Sequence, residues 1–194
     1  MLFAASNEIF GKAAIGSPFI VYASEKPSDE KKEGHATNER DIRNYAVVAG
    51  DSLADIWQLD EFKENNYRLQ VYGPNGFFRE FKGNLADPDI DVAFEYHRSI
   101  ADRKKLTGNV ELKLHNLTKN LHVVEVTDHA YNANNYKRLV KPGDKHVEIL
   151  NLVNSHGWYD FSVKISGNHT FEKRYAGRVE TGKPSYSDPQ MSGA

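Results

Sequence analysis

The chain reads YAVVAGDSLADIWQL over residues 45–59 and YKRLVKPGDKHVEILNL over residues 136–152, and these two stretches are related. Their Gly-Asp pairs begin at Gly50 and Gly143, 93 positions apart. A repeat of that period gives each copy enough residues to bury a core of its own, which the short units of a solenoid lack. The sequence therefore predicts a duplicated fold.

A second pair of related stretches follows the first. Residues 65–84 read NNYRLQVYGPNGFFREFKGN, and residues 156–179 read HGWYDFSVKISGNHTFEKRYAGRV. Three residues recur here with an offset of 94, so one residue has been inserted after the Gly-Asp pair of the second copy. The recurrences are Phe77 with Phe171, Phe81 with Tyr175, and Gly83 with Gly177.

Apolar and polar residues alternate in several segments, as half-buried β-strands require. The segment Tyr159–Ile165 places its apolar side chains on one face, and Arg68–Tyr72 is its counterpart in the first copy. Glycine and asparagine follow both segments and predict hairpins onto Phe77–Lys82 and Thr170–Ala176. Many short strands at regular spacing predict an all-β fold of two tandem immunoglobulin-like antiparallel β-sandwich modules.

The predicted modules have definite bounds. We place the first module at residues 1–86, the second at residues 90–182 and an extended tail at residues 183–194, with the Pro-containing connector Ala86–Asp91 between the modules. A strand predicted at Ile90–Tyr96 has no counterpart in the first copy. The first module therefore lacks its opening strand, and we expect the chain to be cut from a longer protein. The residues expected in the first core are Tyr67, Leu69 and Val71, and those expected in the second are Tyr159, Phe161 and Val163.

The composition excludes several classes of protein. With 25 basic and 27 acidic residues the formal net charge is −2, so no basic surface predicts nucleic-acid binding. No apolar run approaches the roughly 20 residues that span a bilayer. The absence of cysteine excludes disulfides and cysteine-bound metals. The charged stretch Ser24–Asn44 has no periodicity and predicts a solvated loop.

The densest group of possible metal ligands is His122, Glu125, Asp128 and His129. On a strand these residues divide between the two faces, so they form no common cage for a metal ion. No serine lies at a strand-to-helix elbow, and no glycine-rich phosphate loop opens a helix. We therefore predict no metal site, no cofactor and no catalytic residue in this chain.

Two pairs of adjacent aromatic residues follow glycines, at Phe77-Phe78 and Trp158-Tyr159. Neighbouring residues on a strand point to opposite faces, so one ring of each pair should point inward. The other ring has two possible places. It is either exposed, where it can enter a lipid interface or stack on a sugar, or it packs under a neighbouring strand or the other module.

The last part of the chain carries a specific resemblance. Gly157–Val163 reads GWYDFSV, Phe171–Gly182 reads FEKRYAGRVETG, and Ser187–Pro189 reads SDP. This run resembles the C-terminal end of bacterial phosphocholine-type phospholipases C, in the family that also contains related acid phosphatases. Gly73–Gly83 resembles the first repeat of the same family, so the likeness covers about residues 2–189. The long stretch Ser24–Asn44 and the missing opening strand depart from the family pattern.

The resemblance implies an accessory role for this chain. In such enzymes the chemistry belongs to an N-terminal domain similar to alkaline phosphatases and arylsulfatases. That domain would be the partner of this chain within the same parent protein. The parent would hydrolyse phosphatidylcholine to diacylglycerol and phosphocholine, and it would be secreted or periplasmic. No catalytic residue of the family can be assigned to a position in this sequence.

Three roles remain open for such a region. In the first, it presents the enzyme to a phospholipid surface. In the second, it is a scaffold for the catalytic domain, with Arg178–Pro189 in the joint. In the third, the modules bind carbohydrate or mediate adhesion, since an immunoglobulin-like fold does not fix a function. The sequence leaves the oligomeric state open. The residues predicted to contact a lipid surface in the first role are Phe78, Trp158, Lys173, Arg174 and Arg178.

Overall fold

The computed structural model describes residues 1–24, 41–132 and 135–192 of the chain. These residues form strands and short 3₁₀ turns, and no helix among them is long and apolar enough to cross a membrane. The 3₁₀ turns are Gly11–Ala13, Leu59–Glu61, Lys63–Asn65 and Pro189–Ser192. The strands are β1 (Leu2–Ala4), β2 (Ser17–Ser24), β3 (Asp41–Val47), β4 (Ser52–Ala54), β5 (Tyr67–Tyr72), β6 (Phe78–Gly83), β7 (Ile90–Arg98), β8 (Leu106–Asn116), β9 (His122–Asp128), β10 (Tyr136–Val140), β11 (Lys145–Leu150), β12 (Trp158–Ile165) and β13 (Glu172–Arg178).

The strands form three antiparallel sheets. An eight-stranded sheet has the order β10-β9-β12-β13-β6-β5-β2-β3, and two smaller sheets have the orders β11-β8-β7 and β1-β4. The prediction of an all-β antiparallel sandwich fold is confirmed. We call β1–β6 the N-terminal half and β7–β13 the C-terminal half. The division into two separate modules, with the bounds given above, stays a prediction, because one sheet runs through both halves.

The predicted loop at Ser24–Asn44 is wrong at both ends. Strand β2 continues to Ser24, and β3 begins at Asp41, because residues 41–47 pair with β2 and alternate between half-buried and exposed positions. Residues 25–40 lie outside the described residues.

Both predicted hairpins are present, with β5 paired to β6 and β12 paired to β13. The first hairpin turns through Asn75 and Gly76, which have φ values of 56° and 74°. Glycine adopts such angles freely and asparagine tolerates them, which is why this pair of residues forms the turn. Five of the six side chains predicted to be buried are buried. Tyr67 is half-buried instead, because it lies at the start of β5 with its ring against Phe62 and its hydroxyl near the connector.

The buried side chains form two clusters, as the duplicated pattern predicts. The N-terminal core contains Phe3, Ala5, Phe19, Val21, Ala23, Val47, Phe62, Leu69 and Val71. The C-terminal core contains sixteen buried residues, among them Leu112, Leu114, Tyr159, Phe161, Val163 and Tyr175. Each fully buried side chain of this kind stabilises the fold by about 1.5–3 kcal/mol relative to its exposed state, so the larger core makes the C-terminal half the richer source of stability.

The Gly-Asp pairs make the same turn in both halves. The amide of Gly50 donates to the Ala5 carbonyl at 2.6 Å, and the amide of Gly143 donates to the Asn116 carbonyl at 2.9 Å. Both glycines have positive φ, 84° and 76°. The turn therefore places β1 beside β4 in the same way that it places β8 beside β11. Among the described residues, β7 extends the second of these sheets and no strand extends the first.

The two halves are joined along β6 and β13, which pair over five residues from Phe78 with Ala176 to Lys82 with Glu172. The side chains of the last pair form a salt bridge of 3.0 Å. At the connector, the hydroxyl of Thr170 donates to Asp87 Oδ1 at 2.7 Å. We call this junction the seam. Two separate sandwiches, as expected from the sequence, would not share this junction.

Arg79 crosses the seam from β6 into the C-terminal core and is only 8% exposed. Its Nη1 donates to the carbonyl of Ala176 at 2.8 Å, and its Nη2 donates to the hydroxyl of Tyr159 at 3.0 Å. Aromatic rings surround the guanidinium, which is the geometry of a cation–π interaction. The ring centroids lie 4.1 Å away for Phe77, 4.8 Å for Phe94, 5.4 Å for Tyr175 and 5.5 Å for Tyr159.

Candidate interaction surface

One side of the eight-stranded sheet faces away from both cores, and we call it the outer face. Because side chains alternate along a strand, each strand gives every second residue to this face. Four of the five predicted binding residues lie on it, and Lys173 does not. The four are Phe78 on β6, Arg174 and Arg178 on β13, and Trp158 on β12.

Phe78 and Arg174 come together at the centre of the outer face. The guanidinium carbon of Arg174 lies 5.8 Å from the centroid of the Phe78 ring. Arg174 also binds Asp160 through two parallel hydrogen bonds, Nε to Oδ1 at 2.8 Å and Nη2 to Oδ2 at 2.6 Å. This carboxylate raises the pKa of the Arg174 guanidinium above its ordinary value. The bidentate pair fixes the guanidinium beside the ring and neutralises its charge.

Trp158 and Arg178 form a second pair at the edge of the same face. The guanidinium carbon of Arg178 lies 5.8 Å from the indole centroid. The indole N–H donates to the carbonyl of Tyr186 at 3.2 Å, and a Cβ on Gly76 would lie 3.3 Å from the indole ring. The indole therefore packs between the tail and the β5–β6 turn. This matches the predicted alternative in which the ring packs against another part of the chain and is not exposed.

Lys173 points to the opposite side of β13 from Arg174. Burial lowers the pKa of its amine, and the nearby carboxylates of Asp91 and Asp87 oppose that effect. Its Nζ lies 5.3 Å from the centroid of the Phe171 ring. The structure thus separates Lys173 from the other four residues and places it at the connector between the halves.

The tail contacts the C-terminal half. The hydroxyl of Tyr131 donates to Asp188 Oδ1 at 3.0 Å, and the side-chain amide of Gln190 donates to the carbonyl of Ala130. Together with the Trp158 contact, these bonds hold residues 186–190 against the loop after β9. The division of the chain at residue 183 stays a prediction.

The four possible metal ligands make separate contacts. His122 bonds to the hydroxyl of Thr118 at 3.0 Å, and Glu125 pairs with Lys137 at 2.6 Å. Asp128 Oδ2 accepts from the amide of Tyr131 at 2.9 Å, and the ring of His129 bonds to Ser162 at 2.9 Å. Within residues 1–24, 41–132 and 135–192, no group of three or more histidines and acidic residues is arranged to hold a metal ion.

Sequence reasoning missed a buried carboxylate on the outer face. Glu80 is only 2% exposed. It accepts hydrogen bonds from Arg68 Nε at 2.7 Å and Gln70 Nε2 at 2.9 Å, and it pairs with Lys82 Nζ at 3.0 Å. Burial alone would raise the pKa of this carboxyl, but the two cations outweigh burial and hold the pKa below its ordinary value. The register of β5 against β6 brings these side chains together, so no local sequence motif predicts the network.

Comparison with known proteins identifies relatives of this chain. The family model described as bacterial phospholipase C, C-terminal domain, matches residues 2–84 and 89–178. The chain is 34% identical to the non-hemolytic phospholipase C of Pseudomonas aeruginosa over 155 residues, 79% of this chain and 22% of that protein. It is 38% identical to the hemolytic phospholipase C of the same organism over 165 residues, 77% of this chain and 21% of that protein. The non-hemolytic phospholipase C of Burkholderia pseudomallei is 34% identical over 157 residues, 77% of this chain and 21% of that protein. The chain thus spans about a fifth of the length of these relatives.

Proposed function

Because the chain belongs to the family of bacterial phospholipase C C-terminal domains, we propose that it is a non-catalytic, rigid accessory unit of a phospholipase C. In this proposal it holds the catalytic part of the parent enzyme in a fixed position. The parent would carry an N-terminal phosphatase-like catalytic domain, would hydrolyse phosphatidylcholine and would be secreted or periplasmic. The relatives support the parent activity, since all three are named as phospholipases C.

The observation that carries this proposal is the seam. Domains joined by a linker move relative to one another unless their interface is extensive. Here the sheet continues from β6 to β13, and Arg79 of one half is buried among the rings of the other. A further ion pair of 2.8 Å joins Glu8 of the N-terminal half to Arg98 of the C-terminal half. These contacts favour a single rigid body, which is the property that a scaffold needs.

Removal of this region from the parent enzyme tests the proposal. We expect the truncated enzyme to melt at a lower temperature and to hydrolyse phosphatidylcholine more slowly, because its catalytic part loses a supporting surface. An Arg79→Ala variant of the intact parent should show part of the same loss. Unchanged stability and activity on removal of the whole region would exclude a scaffold role.

The role suggested for Arg178–Pro189 in the joint can be tested by deleting the tail. Strand β13 runs to Arg178, and Val179 is 2% exposed, so deletion from residue 178 would damage the C-terminal core. A deletion that begins at Lys183 leaves the core intact. If the tail forms the joint, this shorter deletion should lower the melting temperature of the parent but not that of the isolated chain. If the deletion lowers the melting temperatures of the parent and of the isolated chain equally, the tail stabilises this chain and does not form the joint.

A second candidate function is presentation to a phospholipid surface, and the pair of Phe78 and Arg174 favours it. An aromatic ring beside a guanidinium suits the boundary between headgroups and acyl chains. Sedimentation of the isolated chain with phosphatidylcholine vesicles measures this binding. If none of the protein sediments at micromolar concentration, the isolated chain has no such role, and a Phe78→Ser variant shows whether any binding uses this face.

A further inference from the structure

A set of large apolar side chains crosses the outer face of the N-terminal half, and its members come from four adjacent strands. Tyr22 pairs with Ile42, Ile20 pairs with Tyr72, and Tyr72 pairs with Phe78. Successive partners in register lie side by side on one face of a sheet, so the set is continuous. We call it the aromatic patch, and its members are Ile20, Tyr22, Ile42, Tyr72 and Phe78.

The rings of the patch contact one another and remain open to solvent. The ring centroids of Tyr22 and Tyr72 are 5.6 Å apart in an edge-to-face arrangement, and those of Tyr72 and Phe78 are 5.0 Å apart. Ile20 is 38% exposed, Tyr72 is 42% exposed and Ile42 is 50% exposed. Single exposed apolar residues are ordinary on a protein surface, whereas contiguous groups mark interaction sites.

The other half of the same sheet shows that the fold does not require this patch. The strands β10-β9-β12-β13 repeat the order β3-β2-β5-β6, yet their outer face is mostly polar, with a single apolar pair of Leu139 and Val123 near its edge. There Glu125 pairs with Lys137, Lys164 with Glu172, and Asp160 with Arg174. A mostly polar outer face therefore satisfies this architecture, so the fold does not require the aromatic patch of the N-terminal half.

We infer that the aromatic patch is the surface on which the catalytic part of the parent phospholipase C docks. This inference rests on the proposed scaffold function and gives it a place on the molecule. The relatives are about five times as long as the matched region, so most of the parent lies outside this chain. Tyrosine, phenylalanine and arginine are the residues enriched in protein interfaces. The guanidinium of Arg174 borders the patch and is already held in place by Asp160.

A protein surface fits the patch better than a lipid surface does. Tyr22 and Phe78 are half-buried within strands of the sheet and not at a loop tip, so they do not project as a tip that could enter a bilayer. Neighbouring carboxylates also pair with the cations at the border, Arg68, Lys82 and Arg174. Interfacial segments that bind anionic lipid instead present free basic residues around the apolar side chains, so the border of the patch offers no attraction of that kind.

Photo-crosslinking in the full parent enzyme tests the inference. A Tyr72→p-benzoylphenylalanine variant places the probe in the patch. An Ile149→p-benzoylphenylalanine variant places the probe on β11, in the three-stranded sheet. The exposed fractions of the two native residues are similar, 49% for Ile149 and 42% for Tyr72. We expect the probe at position 72 to crosslink to residues of the catalytic part. The probe at position 149 should give no crosslink to that part. The Tyr72→Phe variant should preserve enzyme stability in the parent, whereas Tyr72→Ser should lower it.

Several results would overturn the inference. These are crosslinks from position 72 to phospholipid, crosslinks to a second copy of the chain, no crosslink at all, or equal crosslinking from position 149. Removal of the entire region separates this inference from the scaffold function. If removal harms the enzyme while position 72 gives no crosslink to the catalytic part, the scaffold function stands and the docking surface lies elsewhere. If removal has no effect, the scaffold function itself is wrong.

Discussion

Replacing Arg79 by alanine should weaken the seam and destabilise the whole chain. The substitution removes hydrogen bonds to the carbonyls of Phe78 and Ala176, at 2.7 Å and 2.8 Å, and one to the hydroxyl of Tyr159 at 3.0 Å. It also removes the cation from among four aromatic rings. Two of these hydrogen bonds and three of these rings belong to the C-terminal half, so the loss falls mainly on the contact between the halves.

The expected loss is smaller than the gross sum of these contacts. A hydrogen bond from a charged donor contributes about 1.5–3 kcal/mol, and a desolvated cation–π contact contributes up to about 2 kcal/mol. Against this stands the cost of burying a cation, several kcal/mol, which no carboxylate among the described partners of Arg79 offsets. We expect Arg79→Ala to lower the free energy of unfolding by about 3 kcal/mol. Arg79→Met fills the same space without a buried charge and should lower it by about 1 kcal/mol.

Urea unfolding followed by fluorescence measures this effect in each half. In a Trp158→Phe background, Trp57 reports on the N-terminal half. In a Trp57→Phe background, Trp158 reports on the C-terminal half and on its contact with the β5–β6 turn. A loss of about 3 kcal/mol at a slope of about 2–3 kcal/mol per molar urea moves the midpoint by about 1 M. Arg138→Ala is the control, because its ion pair with Glu148 is exposed and contributes under about 1 kcal/mol. If Arg79→Ala shifts the midpoint no more than this control, the cation is not part of what holds the halves together.

Three further outcomes follow from named contacts. A Cβ on Gly83 would lie 1.8 Å from Asp87 Oδ2, so Gly83→Ala should cost about 2 kcal/mol in urea unfolding, and an unchanged midpoint would contradict that packing. The pKa of Glu80 is lowered in the folded state, so its contribution to stability is complete above its ordinary value of 4.5 and is lost as the pH falls through the folded value. Glu80→Gln should therefore flatten the acid side of the pH–stability curve, and an equally steep curve would assign the acid transition to other carboxyls. Finally, Trp158→Phe removes the hydrogen bond to the Tyr186 carbonyl and should speed chymotryptic cleavage after Tyr186, while equal cleavage rates would show that this bond does not hold the tail.

Local patterns in the sequence predicted the hairpins and most of the core. The alternation in Tyr159–Ile165 is strong enough to assign each side chain to a face, and the structure buries the predicted ones. The segment Ser17–Ser24 reads SPFIVYAS and is apolar nearly throughout. An uninterrupted apolar run does not reveal which residues face outward. That is why Ile20 and Tyr22 were not recognised as members of an exposed patch.

The seam could not be predicted from the sequence for a different reason. Pairing between β6 and β13 joins residues 90 to 98 positions apart, and no turn connects the two strands to set their register. Arg79 also follows two aromatic residues and is directly followed by Glu80, so the pattern does not distinguish it from a solvent-facing arginine. Its burial depends on the neighbouring half. The candidate residues Phe78 and Trp158 were found because adjacent aromatics on a strand must point in opposite directions.

The seam also resolves a problem that any duplicated sheet faces. Taken alone, each half would end in an exposed edge strand, β6 in one and β13 in the other. Exposed edges present unpaired backbone groups and invite association with other chains. Pairing these two edges removes both and leaves β3 and β10 as the outer edges, which carry charged residues such as Arg43, Lys137 and Arg138. Because charges discourage further strand addition, the sheet ends there.

The same pairing that protects the edges makes the two halves one continuous surface, on which the aromatic patch and the Arg174–Asp160 pair keep a fixed separation. A partner that contacted both would require that fixed separation, and a flexible linker between the halves would not supply it.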